Sequence, residues 1–234
     1  MEAKTLLTEL FPLGHSVTFD GVFFQGTVRS GNVEVAVVGI SDAALIGVEL
    51  AFQMAGAVLA VIRHHPGRPI LLLVDTQGQR LTHRDELLGI NGYMAHLAKC
   101  IEAARRAGHS VIGLVYSQAV SGGFLASSMF ADTCYALSGA EVRVMNLPSM
   151  ARITKIPLEL LESLSKTSPV FAPGIENYLR AGAIASLWTG DLAQCLAKAL
   201  DERSVRDNRR ALGESRQGRT MAREVADRVR HATF

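Results

Sequence analysis

The chain is short of the features that would announce a specialised architecture. Cysteine is scarce, three in 234 residues, and Cys100, Cys134 and Cys195 lie far apart in apolar surroundings. An odd number at such spacing argues against a disulfide framework or a cysteine-based metal site and suits reduced core thiols. Long hydrophobic runs are missing too. Ala51 to Ile62 is interrupted by Gln53 and Gly56 and bounded by Arg63-His64-His65, well short of the roughly 20 residues that cross a bilayer. Met1-Glu2-Ala3-Lys4 is followed by too little apolar sequence for a signal peptide, and Pro12 and Gly14 break it early, so a cytoplasmic setting is expected. Excess charge is absent: a net +2 is too small to imply a nucleic-acid partner. There is no phosphate loop, dinucleotide fingerprint, zinc-enzyme motif, low-complexity tract or short-period repeat.

What the chain does have is apolar content, 48% against 20% charged residues, enough to bury a sizeable core in a single α/β domain spanning 1–234. Asn32 to Gly39 reads as a strand, and Leu45 to His65 has a helical apolar pattern. Arg68-Pro69 precedes the strand Ile70 to Asp75; a loop Thr76-Gln77-Gly78-Gln79 follows, then a helix from about Arg84 to Ala107. A third unit runs from the strand Ser110 to Tyr116 through Ser121-Gly122-Gly123 into a helix ending near Phe130. Short strands are expected at Thr133 to Leu137 and Glu141 to Met145, then a loop Asn146 to Met150, a Pro-containing polar region to Pro173-Gly174, and a helical C-terminal segment. Near-continuous apolar strands imply a sheet covered on both faces, and the extra short strands favour a spiral ββα stack over a simple doubly wound sheet.

The most informative stretch is Ser110 to Met129, where an apolar strand enters the Ser121-Gly122-Gly123 turn and small residues open a helix. Two glycines let the main chain turn without a Cβ clash, and N–H groups at a helix start face an approaching anion. The same glycines equally serve tight backbone packing. The loop Asp75-Thr-Gln-Gly-Gln79 leaves another strand end, and ligands of open α/β sheets bind at the carboxyl ends of strands. There Gly78 permits close approach and Gln77 or Gln79 can donate a hydrogen bond; the plain alternative is a turn capped by Asp75. Ser121 lacks the glycine two residues earlier that a nucleophile elbow carries, and no histidine lies between His109 and His231, so it suits hydrogen bonding better than nucleophilic attack. His64-His65, before Pro66-Gly67, reads as a helix end favoured by the dipole, and no metal site is expected.

Nine arginines, Arg203, Arg206, Arg209, Arg210, Arg216, Arg219, Arg223, Arg228 and Arg230, crowd the segment from about 201 to 234, interleaved with Asp201, Glu202, Asp207, Glu214, Glu224 and Asp227. The plain reading is a solvated helical tail with i,i+4 pairs; the specific one is a patch for an acidic carrier protein or coenzyme phosphates.

Gly67-Arg-Pro-Ile-Leu-Leu-Leu-Val-Asp-Thr-Gln-Gly-Gln79, Ser110 to Ser128 and Val144-Met-Asn-Leu-Pro-Ser149 together resemble, in order and spacing, the carboxyltransferase branch of the crotonase superfamily. Within it the chain is similar to the gamma subunits of biotin-independent malonate decarboxylases, over roughly Gly26 to Ile184. The resemblance implies a crotonase-like ββα spiral and a homologous beta subunit that supplies the other half of the active site. It also implies a malonyl thioester substrate on an acyl carrier protein, whose prosthetic arm is of the dephospho-coenzyme A type, and no cofactor bound by this chain itself. The products would be an acetyl thioester and carbon dioxide. Gly122, Gly123, Phe124 and Ser121 take the catalytic positions, and Gln77, Gly78, Gln79 and Asn146 the substrate-facing ones. One departure is Gln77, where carboxyltransferase subunits usually carry the proline of Asp-Thr-Pro-Gly; it removes a rigid element and adds an amide.

Decarboxylation leaves an enolate on the thioester oxygen, which preorganised donors stabilise by roughly 3 to 4 kcal/mol each. Two homologous subunits give two such holes, and the amides of Gly122, Gly123 and Phe124 are assigned to the carboxylate end. Three rivals stand beside this reading: a biotin-dependent acyl-CoA carboxylase subunit, a non-catalytic scaffold completing its partner's pocket, and a crotonase-type hydratase or isomerase. The last usually needs glutamates near the hole, and none lies within ten residues after Gly123.

Overall fold

The computed structural model describes residues 1–166, 174–203, 207–218 and 221–232. Along the chain run α1 (Ala3–Leu10), β1 (His15–Asp20), β2 (Phe23–Ser30), β3 (Val33–Ile40), β4 (Ala44–Ile46), α2 (Val48–His64), β5 (Ile70–Gln79), α3 (His83–Leu87), α4 (Ile90–Arg106), β6 (Val111–Val120) and α5 (Ser121–Leu125). A single 3-10 turn, Ser128–Phe130, leads to β7 (Thr133–Leu137), β8 (Glu141–Arg143), α6 (Leu147–Thr154), α7 (Leu158–Ser165), α8 (Ile175–Arg180), β9 (Leu187–Trp188), α9 (Leu192–Asp201), α10 (Arg209–Ser215) and α11 (Ala222–Arg230).

One sheet carries all nine strands, in the order β1-β2-β3-β5-β6-β7-β9, with β4 added to β5 and β8 to β6. The first three strands are antiparallel and the pairings from β3 onward parallel. Consecutive residues of β5 face opposite ways: Leu71 and Leu73 join a core with Leu6, Phe24, Leu114 and Leu196, while Ile70 and Leu72 join one with Met54, Val58, Leu97 and Ile101. Burial on both faces explains why these strands read as unbroken apolar runs.

The added strands make the spiral. β4 pairs with Thr76 to Gln79, and β8 with Gln118 to Val120, beyond register shifts that bend β5 and β6 out of the main sheet. Thr76 to Gln79, expected as a loop, is therefore the last part of β5. Leu45, expected to open a helix, belongs to β4. The helix expected from Arg84 is two helices, broken at Gly89, whose φ of 75° is left-handed. The helix after Ser121 ends at Leu125, and the loop expected at Asn146 to Met150 is the start of α6. There the Asn146 side chain accepts a hydrogen bond from the Ser149 amide at 2.9 Å and Pro148 sits in the first turn, so the residues that suggested a loop are helix-start signals.

Cys100 and Cys134 are buried free thiols and Cys195 is a half-buried one, as expected; burial pushes the Cys134 thiol up to about 12. The C-terminal arginines are largely committed within the chain. Arg216 donates to three main-chain carbonyls, those of Leu179, Ile184 and Ala185; Arg209 pairs with Asp207, and Arg223 lies near both Glu214 and Asp227. Of these contacts only Arg223–Asp227 is an i,i+4 pair of the kind the plain reading expected, and Arg216 is packed on main-chain carbonyls where a solvated tail was expected; Arg206 and Arg219, like Pro173, lie outside the described residues. No helix among the described residues is long and apolar enough to cross a membrane.

Candidate functional site

The bend of β5 and the end of β6 bring the two glycine-bearing segments into contact. A Cβ on Gly123 would lie 2.9 Å from the Gly78 Cα and 2.9 Å from Thr76 Oγ1. One on Gly122 would lie 2.7 Å from Gln79 Oε1. Gly123 is thus demanded by close approach to backbone and not by dihedral angle, whereas a side chain at Gly122 would displace the flexible Gln79 carboxamide. The left-handed residue in the turn is Ser121, at φ 53°, where a side chain costs about 1–3 kcal/mol. Ser121 Oγ makes no hydrogen bond to a described residue of this chain.

Side chains of β5 hold the approach in place. Thr76 Oγ1 donates to the Ala44 carbonyl at 2.6 Å and accepts from the Gly78 amide at 3.0 Å, which fixes Gly78 in its left-handed φ of 104°. Asp75 does not cap its own turn. Its buried carboxylate accepts from Ala43 N–H at 2.9 Å and from Gln118 N–H at 3.1 Å, cross-linking the segments that follow β3 and end β6. Asp42 and Ala43 are both left-handed, at φ 60° and 50°, and the Asp75 bond holds that strained pair. Tyr116 donates to the Ile40 carbonyl at 2.8 Å; burial, then the nearby Asp75 and Asp42 carboxylates, push its hydroxyl above its ordinary range, so it stays protonated.

The first amides of a helix have no intrahelical acceptor, and the start of α5 uses them unequally. Gly122 N–H donates to Gln79 Oε1 at 3.0 Å. It is therefore not a free donor, contrary to the expectation from sequence. Gly123 and Phe124, both buried, follow in the same first turn, and the Phe124 amide stands four residues after Val120, where the helix takes its first main-chain bond.

Gln79 and Gly122 line a cavity of about 660 Å³ between α4 and α5, walled mainly by apolar residues including Leu81, Met94, Leu125 and Phe130. Glu86, Lys99 and Glu102 stand along its lining. Gly123 and Phe124, next in sequence and buried, are not part of its lining. Of the expected substrate-facing residues, Gly78 and Gln79 are at the meeting point. Gln77 is exposed on the bend, and Asn146, exposed and engaged in capping α6, is not part of the cavity wall. Among the described residues no group of three or more His, Cys, Asp or Glu side chains is placed to hold a metal ion.

Two parts of the site escaped the sequence reading. One is the α4 wall of the cavity, Met94, Ala95 and Ala98. The other is a clamp behind it: Asp85, with no exposed surface, accepts from Val48 N–H at 3.0 Å and twice from Arg80, at 2.7 and 2.9 Å, while Arg80 also reaches Glu49 at 2.9 Å. Thr82, three residues before Asp85 and accepting from its amide, is a helix-start pattern that would have located it.

The sequence model described as malonate decarboxylase gamma subunit matches residues 41–233. The malonyl-S-ACP:biotin-protein carboxyltransferase MADD of Malonomonas rubra is 35% identical over 207 residues, covering 78% of this chain and 70% of that protein. Among solved structures, a Pseudomonas malonate decarboxylase hetero-tetramer in complex with coenzyme A contains a chain 25% identical to this one, with a TM-score of 0.80 over 96% of this chain and 97% of that one. The transcarboxylase 12S core is 16% identical, with a TM-score of 0.70 over 86% of this chain and 40% of that one, and shares the carboxyltransferase-type fold.

Proposed function

The chain belongs to the malonate decarboxylase gamma-subunit family, and from that premise we propose that it supplies the carboxylate-holding half of a heteromeric site that decarboxylates a malonyl thioester. The observation that carries this reading is the meeting of two glycine-bearing strand ends, where Gly123 packs on Gly78 and the Gly122 amide holds Gln79 in the wall of an apolar cavity. The homologous beta subunit completes the pocket. Solved Pseudomonas relatives include a hetero-dimer of two such subunits, and the exposed Leu81, Leu87, Leu88, Leu125 and Phe130 form an apolar surface fit for such a partner. The substrate rides on an acyl carrier protein through a dephospho-coenzyme A-type arm, this chain binds no cofactor of its own, and the setting is the cytoplasm.

The reaction breaks the bond between the α-carbon and the carboxylate. The bonding pair stays on the α-carbon and delocalises onto the thioester oxygen, carbon dioxide departs, and a proton then reaches the α-carbon. The partner's donors hold the developing enolate oxygen. The turn that opens α5 holds the carboxylate so that the breaking bond lines up with the thioester π system, which is positioning and not acid or base work. Tyr116, buried and kept protonated against Ile40, serves structure, and water can supply the proton.

A second reading has a specific observation behind it: the 35%-identical relative is named for transfer from malonyl-S-ACP to a biotin protein. The test is carbon dioxide release from a malonyl thioester by this chain purified with its homologous partner, with avidin present to sequester biotin. Steady release is expected. Turnover only after a biotinylated acceptor is added would make the chain a carboxyltransferase subunit.

A further inference from the structure

The Gln79 side chain is held in one orientation by its neighbour. The Gly122 amide can only donate, so the atom it meets at 3.0 Å is the carboxamide oxygen. From a Cβ position on Gly122 the Gln79 Oε1 lies at 2.7 Å, Cδ at 3.1 Å and Nε2 at 3.6 Å, so the carboxamide lies along the glycine with its nitrogen the farther atom. Gln79 Nε2 has no hydrogen-bond partner among the described residues, and Gln79 is part of the cavity wall. A hydrogen bond accepted at the oxygen also polarises the group and strengthens its N–H as a donor.

We infer that the Gln79 carboxamide, oriented by the Gly122 amide, is the neutral donor that reads the free carboxylate of the malonyl group and so sets specificity for an acyl thioester bearing one. The inference rests on the reading of this chain as the carboxylate-holding half.

Neutrality is the physical point. As carbon dioxide forms, the carboxylate loses its charge. A cation placed there would stabilise the ground state more than the transition state, lowering KM and kcat together. A carboxamide recognises the carboxylate by hydrogen bonding and leaves the charge free to move toward the thioester. Asp75, close behind in sequence, has both oxygens occupied by main-chain amides and does not compete for the donor.

The experiment uses the complex of this chain with its homologous partner and two reactions: carbon dioxide release from malonyl-pantetheine, and solvent deuterium exchange at the α-carbon of acetyl-pantetheine, which needs the enolate hole but no carboxylate. Gln79→Glu keeps an acceptor for Gly122 and replaces the donor with a negative charge; KM for malonyl-pantetheine is expected to rise by about tenfold or more. Gln79→Lys is expected to lower KM and to lower kcat by about tenfold. Deuterium exchange persists in both variants, which also shows that the site remains assembled. Equal loss of both reactions in Gln79→Glu, or unchanged KM in both variants, overturns the inference. A wild-type complex that exchanges deuterium and releases no carbon dioxide overturns the functional reading itself, a result recognisable before any variant is made.

Discussion

At the start of α2, the buried Asp85 carboxylate is saturated: it takes two bonds from Arg80, one from Val48 N–H and one from Thr82, and Arg80 spans to Glu49. At the start of α5, the Gly122 amide is met by one side chain, Gln79, whose own nitrogen has no partner among the described residues. The same chain that saturates one helix start leaves a donor open at the other. A fully satisfied network fixes structure. An unsatisfied one, beside a cavity, is a place where the cost is recovered when a ligand arrives.

The comparison breaks most visibly at Gly123. A Cβ there would press on the Gly78 Cα and Thr76 Oγ1, each at 2.9 Å, and backbone on one side leaves no flexible group to yield. Gly123→Val is expected to spread the two strand ends, misplace the Gln79–Gly122 pair and cut carbon dioxide release by on the order of 100-fold, with the heteromeric complex still assembling. Size-exclusion chromatography and the rate assay on the same preparation check both halves. Full activity in an assembled complex would remove this turn from the chemistry.

Which parts were legible in advance follows the same division. Strands buried on both faces, such as Ile70 to Val74 and Val111 to Tyr116, announce themselves as apolar runs, and the glycines mark where segments approach. The far ends of those strands are polar because they bend away to pair with β4 and β8, so they resemble loops. The pairing that redeems them is non-local and leaves no trace in a single segment. The N-terminal β1 is hard to read for a related reason: at the sheet edge and exposed along most of its length, it carries only Val17 and Phe19 as an apolar alternation. The capture of the Gly122 amide by Gln79 joins residues 43 apart in sequence; the residue types permitted it, and only the bend in β5 made it specific.

Acid sharpens the contrast from the saturated side. Hydrogen bonding from Arg80, then from Thr82 and Val48, holds the Asp85 carboxyl far below the ordinary carboxylate range, and Arg84 holds Glu49 down to about 2. A depressed folded-state value means the unfolded chain binds the proton first. The clamp's contribution is therefore complete above the ordinary carboxylate range, near pH 4, and drains away as pH falls toward 2. Amide hydrogen exchange at Val48 and the first turn of α2 is expected to accelerate, relative to the β5 core, as pH falls from about 4 toward 2, after correction for the intrinsic rate. The Gln79–Gly122 bond at α5 joins two groups that do not titrate and gives no such step. Uniform acceleration across α2 and β5 would mean that the clamp is not a separate unit.

The smallest effect falls on Asn146, the residue for which sequence and structure assign different work. Its side-chain oxygen accepts from Ser149 N–H at 2.9 Å at an exposed helix start, so its loss removes one cap. Asn146→Ala is expected to cost about 1 kcal/mol of stability and to leave KM for malonyl-pantetheine unchanged. Denaturant melts together with steady-state kinetics on the complex separate the two roles. If KM rises while the melt stays put, α6 reaches the substrate in the complex, and the open side of the comparison extends from α5 to a third segment. If stability alone falls, Asn146 stands with Asp85 among the groups that are satisfied because they are structural, and the polar contacts to substrate are confined to the bend of β5 and the turn after β6.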